Sequence, residues 1–352
     1  MSLIKNNIIV LIGIIISNVF AFLFHFISGR YLGPAQYGEL GALMAFMVLL
    51  SMPSSAVNFA LSKFISVHYE NNEFSQIHNM VKKLIKKVFY FSSFVFLILF
   101  FFISPITTFL NVKSSSSIII IGLSFFIIHI LGIQRGLIQG MKYYNTFAWN
   151  VILEATARLA FLSVLFFFSF SVSGVLSTFV LGYFIAYLFL VFPKKITLFD
   201  TMKTTTYSLE NFNSLFYKIL IFNLLVQVII NSPPIIVNYF YSNELAGYWT
   251  STLNIAKISL LVPLSISIVM IPEIVGLNEF SDKLKVFVKS ALMTIFLTSC
   301  FAIILFFFPK IILSTLYGKE FLDGSTLLQW MGIAMIFLSI IQLYIHFLLT
   351  KD

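Results

Sequence analysis

The sequence predicts an all-α, multi-pass membrane protein of about ten transmembrane helices, arranged as two repeated lobes with the N-terminus in the cytoplasm. Three observations carry this. Apolar residues make up 59% of the chain and charged residues 10%, with a mean hydropathy of +1.00, whereas soluble domains carry about 25% charge. The 43 Phe residues suit a lipid-facing surface far better than a water-facing one. Finally, long apolar stretches follow one another with short polar joins, and a hydrophobic helix pair near the start recurs in the second half.

A membrane helix needs about 20 mostly apolar residues. Bilayers leave no partner for free backbone groups, and the runs are too continuous for alternating barrel strands, so each span reads as an α-helix. The first, Ile8–Ile27, has no small-residue cleavage site and leads into further spans, which makes it a retained helix. The second, Glu39–Leu61, holds Pro53. The third, Val88–Leu110, follows the Lys82–Lys87 run and carries Pro105. The fourth, Ile118–Ile138, ends in Gly136 and Gly140, spaced for close helix packing. The fifth, Phe147–Phe168, contains Glu154 and Arg158, and the sixth is Val172–Phe192. The seventh, Phe216–Phe240, is expected to be strongly perturbed by Pro233-Pro234. The eighth, Leu245–Met270, holds Lys257 and Pro263. The ninth is Ala291–Phe308, with Pro309 matching Pro105, and the tenth is Thr326–Leu348.

The repeat is specific in its details. Arg30-Tyr-Leu-Gly-Pro-Ala-Gln-Tyr-Gly38 is followed by an apolar stretch with Pro53 and then Asn72-Glu73-Phe74-Ser75. Tyr239-Phe-Tyr-Ser-Asn-Glu-Leu-Ala-Gly247-Tyr248 is followed by an apolar stretch with Pro263 and then Asn278-Glu279-Phe280-Ser281. The expected organisation is a six-helix lobe over 1–192, a cytoplasmic linker over 193–215 and a four-helix lobe over 216–352, the last incomplete relative to the first. Two related membrane bundles point to a transporter.

With the N-terminus inside, 16 Lys and Arg fall on the cytoplasmic side and 4 on the other, which fixes the expected orientation. The +9 net charge is then a topology signal and an attraction to anionic lipid. The Lys82–Lys87 run sits between two spans, which argues against nucleic acid. There is no GxxxxGK[ST] loop, no HExxH and no clustered Cys/His, and large soluble loops for catalytic groups are absent, so enzyme readings do poorly. The single Cys300 lies in an apolar span and cannot form an internal disulfide.

Charges inside a bilayer cost about 2.5–3.5 kcal/mol each at a helix centre, and those retained face a bundle interior or a watery cavity. Glu154 and Arg158 are four apart on one helix face. They form either a structural ion pair or a cavity wall on which Arg158 exchanges Glu154 for a substrate phosphate. Lys257 lies mid-span with no charge within a turn, and is a candidate cavity cation. Arg30 is either an interfacial anchor or a cation at the cavity mouth, and Arg135 reads as a positive-inside anchor. Pro53 and Pro263 are candidate hinges, since each removes a backbone hydrogen bond. His25 and His129 sit in apolar runs and read as core histidines.

The Arg30–Gly38 segment, Gln134-Arg-Gly-Leu-Ile-Gln-Gly140, Glu154…Arg158 and Glu244-Leu-Ala-Gly247-Tyr248 together resemble the oligosaccharide flippase branch of the multidrug/oligosaccharidyl-lipid/polysaccharide exporter superfamily. That resemblance implies a flippase for an undecaprenyl-diphosphate-linked oligosaccharide in the inner membrane of a prokaryote. Membrane lipids would be further partners, a proton or sodium ion would serve as coupling ion, and no cofactor is implied. Family members carry more than ten helices, so the second lobe is expected to be truncated. Two rivals stay open: an organic-cation exporter on the same fold, and a non-transporting scaffold.

Overall fold

The structure is a computed structural model that describes residues 3–165, 171–191, 210–275, 277 and 279–348. The expected linker, up to residue 209, lies outside the described residues, as do Asn278, Lys351 and the span ends at Phe168 and Phe192. The helices are α1 (Leu3–Glu70), α2 (Phe74–Phe101), α3 (Ile103–Phe109), α4 (Ser116–Gly140), α5 (Tyr144–Leu165) and α6 (Val172–Val191). After them come α7 (Glu210–Phe240), α8 (Asn243–Ala256), α9 (Leu261–Val275), α10 (Phe280–Phe307), α11 (Pro309–Leu316) and α12 (Ser325–Leu348). Among the described residues, nine helical stretches are long and apolar enough to cross a membrane. This is a multi-pass membrane protein.

The first stretch supplies two of the expected spans. Its backbone leaves helical geometry at Gly33, with φ 68° and ψ 174°, and Pro34 follows. Only glycine reaches that region readily, and proline suits the start of the next helix. His25 Nδ1 lies 3.1 Å from the Tyr37 hydroxyl. Residues twelve apart on a straight helix would stand about 18 Å apart along the axis, so the chain turns back sharply here. The Arg30–Gly38 segment is therefore a built turn.

The structure corrects three sequence-based expectations. The third span does not continue to Leu110; α2 stops at Phe101 and the short α3 follows. Pro105 has no N–H for the Phe101 carbonyl and its ring crowds that position. The eighth span is present as one membrane-length stretch, Asn243–Ile271, but it is not regular α-helix throughout, because α8 passes through a 3₁₀ turn at Lys257–Leu260 before α9 begins. Pro263, four residues beyond Ser259, crowds that carbonyl in the same way. The seventh span, by contrast, runs helically through Pro233 and Pro234. Pro53 likewise sits inside continuous helix.

The repeat extends to boundaries. Both α2 and α10 begin at the Phe of their Asn-Glu-Phe-Ser tetrapeptide, each 28 residues long with Glu73 or Glu279 at the N-cap position. Each is then followed, after a one-residue break, by a short helix of 7 or 8 residues that carries Pro105 or Pro309 in its first turn.

The chain packs as two compact units, Met1–Ala246 and Gly247–Asp352. In the first, α4 lies close against the second half of α1, because glycines face it at every fourth position. A Cβ at Gly136 would stand 2.9 Å from the Asn58 carbonyl oxygen, and one at Gly140 would stand 2.5 Å from Ile65 Cβ. Ser54 Oγ donates to the Ile128 carbonyl across this seam at 2.7 Å. Helix α7, expected at the head of the second lobe, packs along α1 within this unit. Phe212 joins a core with Val57, Leu61, Leu84 and Leu137. The far end of α7 is tied by asparagines: Asn238 Nδ2 donates to the Leu110 carbonyl at 2.5 Å, and Asn111 Nδ2 donates to the Asn238 carbonyl at 3.0 Å and to Asn243 Oδ1 at 2.8 Å.

In the second unit α9, α10 and α12 pack together, with Met270, Ile274, Leu343 and Phe347 at the centre. Ser267 Oγ meets His346 Nδ1 at 2.7 Å. Outside the spans, Lys142 donates to Glu70, and this hydrogen bond holds its ammonium above the usual lysine range.

Gly136→Ile should destabilise the purified protein by about 1–3 kcal/mol or more, the cost of overpacking a close seam. Thermal melting in detergent checks this, with the exposed Phe94→Leu as a variant expected to melt like the wild type.

Candidate functional site

Helix α5 places Asn150, Glu154 and Arg158 on one face at successive turns. That face meets α4 and α6, and the three polar groups are drawn into a single network there. Arg158 Nη2 forms an ion pair with Glu154 Oε1 at 3.0 Å. Arg135 of α4 donates from Nη2 to Glu154 Oε2 at 2.5 Å and from Nε to Asn150 Oδ1 at 2.8 Å. Asn150 Nδ2 in turn donates to the Ala186 carbonyl of α6 at 2.7 Å. The carboxylate is therefore gripped by two guanidinium groups from adjacent helices, and all three helices are tied to one another.

Backbone shape makes room for this. A Cβ at Gly182 of α6 would lie 2.6 Å from Arg158 Cγ and 3.1 Å from the Glu154 carbonyl oxygen. Glycine is required here so that the Arg158 stem can cross α6. The Arg158 guanidinium then lies over the Phe179 ring, with Cζ 4.9 Å from its centroid, a cation–π contact. Phe179 also meets Phe24 of α1 edge-on at 5.3 Å.

The charge count is uneven. Two guanidinium groups share one carboxylate. Arg158 Nε is buried and has no partner among the described residues. The network thus retains one surplus positive charge and an unfilled donor, and an anionic oxygen satisfies both.

The other sequence-selected residues lie elsewhere. Arg30 is exposed beside the Gly33 turn, and makes no ion pair or hydrogen bond among the described residues. Lys257 opens the 3₁₀ turn in the second unit, half-buried and equally without an ion pair or hydrogen bond. Pro263 lies one turn past that break, while Pro53 lies in unbroken helix. Sequence reasoning placed Arg135 at the membrane boundary, but its guanidinium is turned into the bundle. Asn150 was missed. Its spacing of four from Glu154, and that of Glu154 from Arg158, was the available signal.

The fold is that of the MOP superfamily transporters. An inward-facing multidrug resistance MATE family transporter of that superfamily superposes with a TM-score of 0.77 at 13% identity, covering 95% of this chain and 83% of that one. The lipid II flippase MurJ, in an inward closed conformation, gives 0.75 at 14% identity, covering 97% and 76%. An outward-facing MATE family transporter gives 0.61 at 14%, covering 99% and 83%. No curated protein sequence matches. The sequence model of the polysaccharide biosynthesis protein family matches residues 3–278, and the chain belongs to that family.

Glu154→Ala should cost about 3–5 kcal/mol, because it leaves two buried cations uncompensated. Arg135→Ala or Arg158→Ala should each cost less, since either leaves a neutral one-to-one pair. Thermal melting of the three purified variants gives the order. A milder effect from Glu154→Ala than from both arginine variants would contradict the shared-carboxylate account.

Proposed function

We propose that this protein translocates a lipid-diphosphate-linked oligosaccharide, a polysaccharide repeat unit, across the cytoplasmic membrane of a prokaryote by alternating access. The observation that carries the reading is the sign of the retained charge. Two arginines share Glu154, and Lys257 stands at a helix break without a counter-charge among the described residues. Cations at such depth are costly unless an anion visits them. A diphosphate headgroup supplies that anion, and arginine binds its oxygens through a planar fork. Membership of the polysaccharide biosynthesis family and the fold shared with a lipid II flippase support the same cargo class.

In this mechanism the sugar and diphosphate follow a polar path through the protein while the lipid tail stays in the bilayer. Arg30 meets the headgroup at the mouth, and Arg158 and Lys257 hold it in turn. Glu154 restrains Arg158 between cycles, and a proton or sodium ion supplies the drive. Bending centres on the interrupted helix before Pro263, since 3₁₀ turns within a helix often mark hinges. Pro53 provides a second, milder site. The membrane orientation follows the positive-inside bias, with the N-terminus in the cytoplasm. Organic cations, the alternative cargo on this fold, call for an acidic excess instead.

Complementation of a host lacking its own repeat-unit flippase tests the proposal. Wild type should restore surface polysaccharide. Lys257→Ala and Arg158→Ala, at matched membrane levels, should lower translocation about tenfold or more, the effect of losing a charge-assisted hydrogen bond. Full flipping by both variants would sink the assigned roles.

A further inference from the structure

A separate cavity of about 360 Å³ opens on the flank of the first unit, where α1, α2, α4 and α7 meet. Its walls are apolar, formed by Val57, Val88, Phe91, Phe216 and Leu220. Three residues with donor side chains also line it, Lys87 and Tyr217 exposed at its rim and Asn213 half-buried, and no carboxylate does among the described residues. Lys87 makes no ion pair among the described residues. It closes the Lys82–Lys87 run, and the apolar part of α2 begins at the next residue, the sequence pattern of a membrane–water boundary.

The cavity also holds an unfilled acceptor. His129 is 1% exposed and lines the cavity. Its Nδ1 lies 2.7 Å from the Phe125 carbonyl. A carbonyl only accepts, so that bond puts the proton on Nδ1 and leaves Nε2 as an acceptor. Nε2 is buried and has no partner among the described residues. Buried polar atoms are ordinarily hydrogen-bonded, and an orphan beside a cavity points to an occupant. The Phe91 and Phe125 rings hold the imidazole in place, with centroids at 6.0 Å and 4.1 Å.

Donors at the rim, apolar walls and one acceptor within describe an amphiphile. We propose that this cleft binds one long-chain lipid phosphate from the bilayer. Its phosphate oxygens rest on Lys87, Asn213 and Tyr217, and its hydrocarbon lies against Val57, Val88, Phe216 and Leu220. A water carried in with the ligand donates to His129 Nε2. Two sources share this chemistry: an anionic glycerophospholipid and a polyprenyl phosphate. The site is distinct from the Glu154 network and does not depend on the transport reading, because occupancy is read by binding alone.

The test uses the purified full chain in neutral detergent, titrated with dioctanoyl phosphatidylglycerol, dioctanoyl phosphatidylcholine, farnesyl phosphate or inorganic phosphate. Native mass spectrometry counts the adducts, and melting gives affinity. One of the two lipid phosphates should bind at one site and raise the melting temperature, the tighter of them identifying the source. Lys87→Gln should weaken this about fivefold, the worth of one lysine at an anionic headgroup. Leu220→Trp, which fills the cleft, should remove it. Equal binding of phosphatidylcholine, equal stabilisation by inorganic phosphate, or unchanged binding by Lys87→Gln would overturn the proposal.

Discussion

Every feature of this chain answers to a solvent that offers no hydrogen bonds. In hydrocarbon, a backbone group or charge left unpaired costs several kcal/mol, so each must be satisfied inside the protein. Helices solve the backbone problem locally. The ion network around Glu154 solves the charge problem by bringing α4, α5 and α6 together, with Asn150 extending it to the Ala186 carbonyl. Gly182 is part of that solution, because only a residue without Cβ lets the Arg158 stem cross α6. The polar centre thus ties three helices to one another.

Where the chain departs from regular helix, the departure has a residue behind it. Gly33 and Pro34 reverse the chain between the first two spans. Pro105 and Pro309 each start a short helix after a long one. Pro263 accompanies the 3₁₀ turn that begins at Lys257. That last coincidence sets Lys257 at the point where the helix departs from α geometry. Pro233 and Pro234 show the other outcome. Two missing donors in succession leave α7 helical, since the bilayer offers the segment no better conformation.

The two halves of the chain repeat one plan with different charges. Each carries a long helix begun at an Asn-Glu-Phe-Ser tetrapeptide and closed by a proline-led short helix. The first half ties three helices through the Glu154 ion network, whereas the second sets Lys257 at a helix break.

Hydropathy is a local property, so the sequence alone located the spans, though not the breaks at Phe102 and Lys257, and it also carried the repeat, the glycine seam and the family. The Glu154–Arg158 pair was legible too, because helix periodicity puts residues four apart on one face. Partners remote in sequence were not legible. Arg135 lies 19 positions from Glu154, and a residue count near a span end cannot distinguish an anchor from an inward-turned guanidinium. That distinction depends on how α4 is rotated, which its glycines decide by packing on Ser54 and Asn58. The attachment of α7 to α1, the Asn111–Asn238 tie and the cleft beside His129 likewise arise only once helices are set side by side. Tertiary structure decided them, because side-chain contacts between helices depend on rotation and depth, and neither is written in the order of apolar residues.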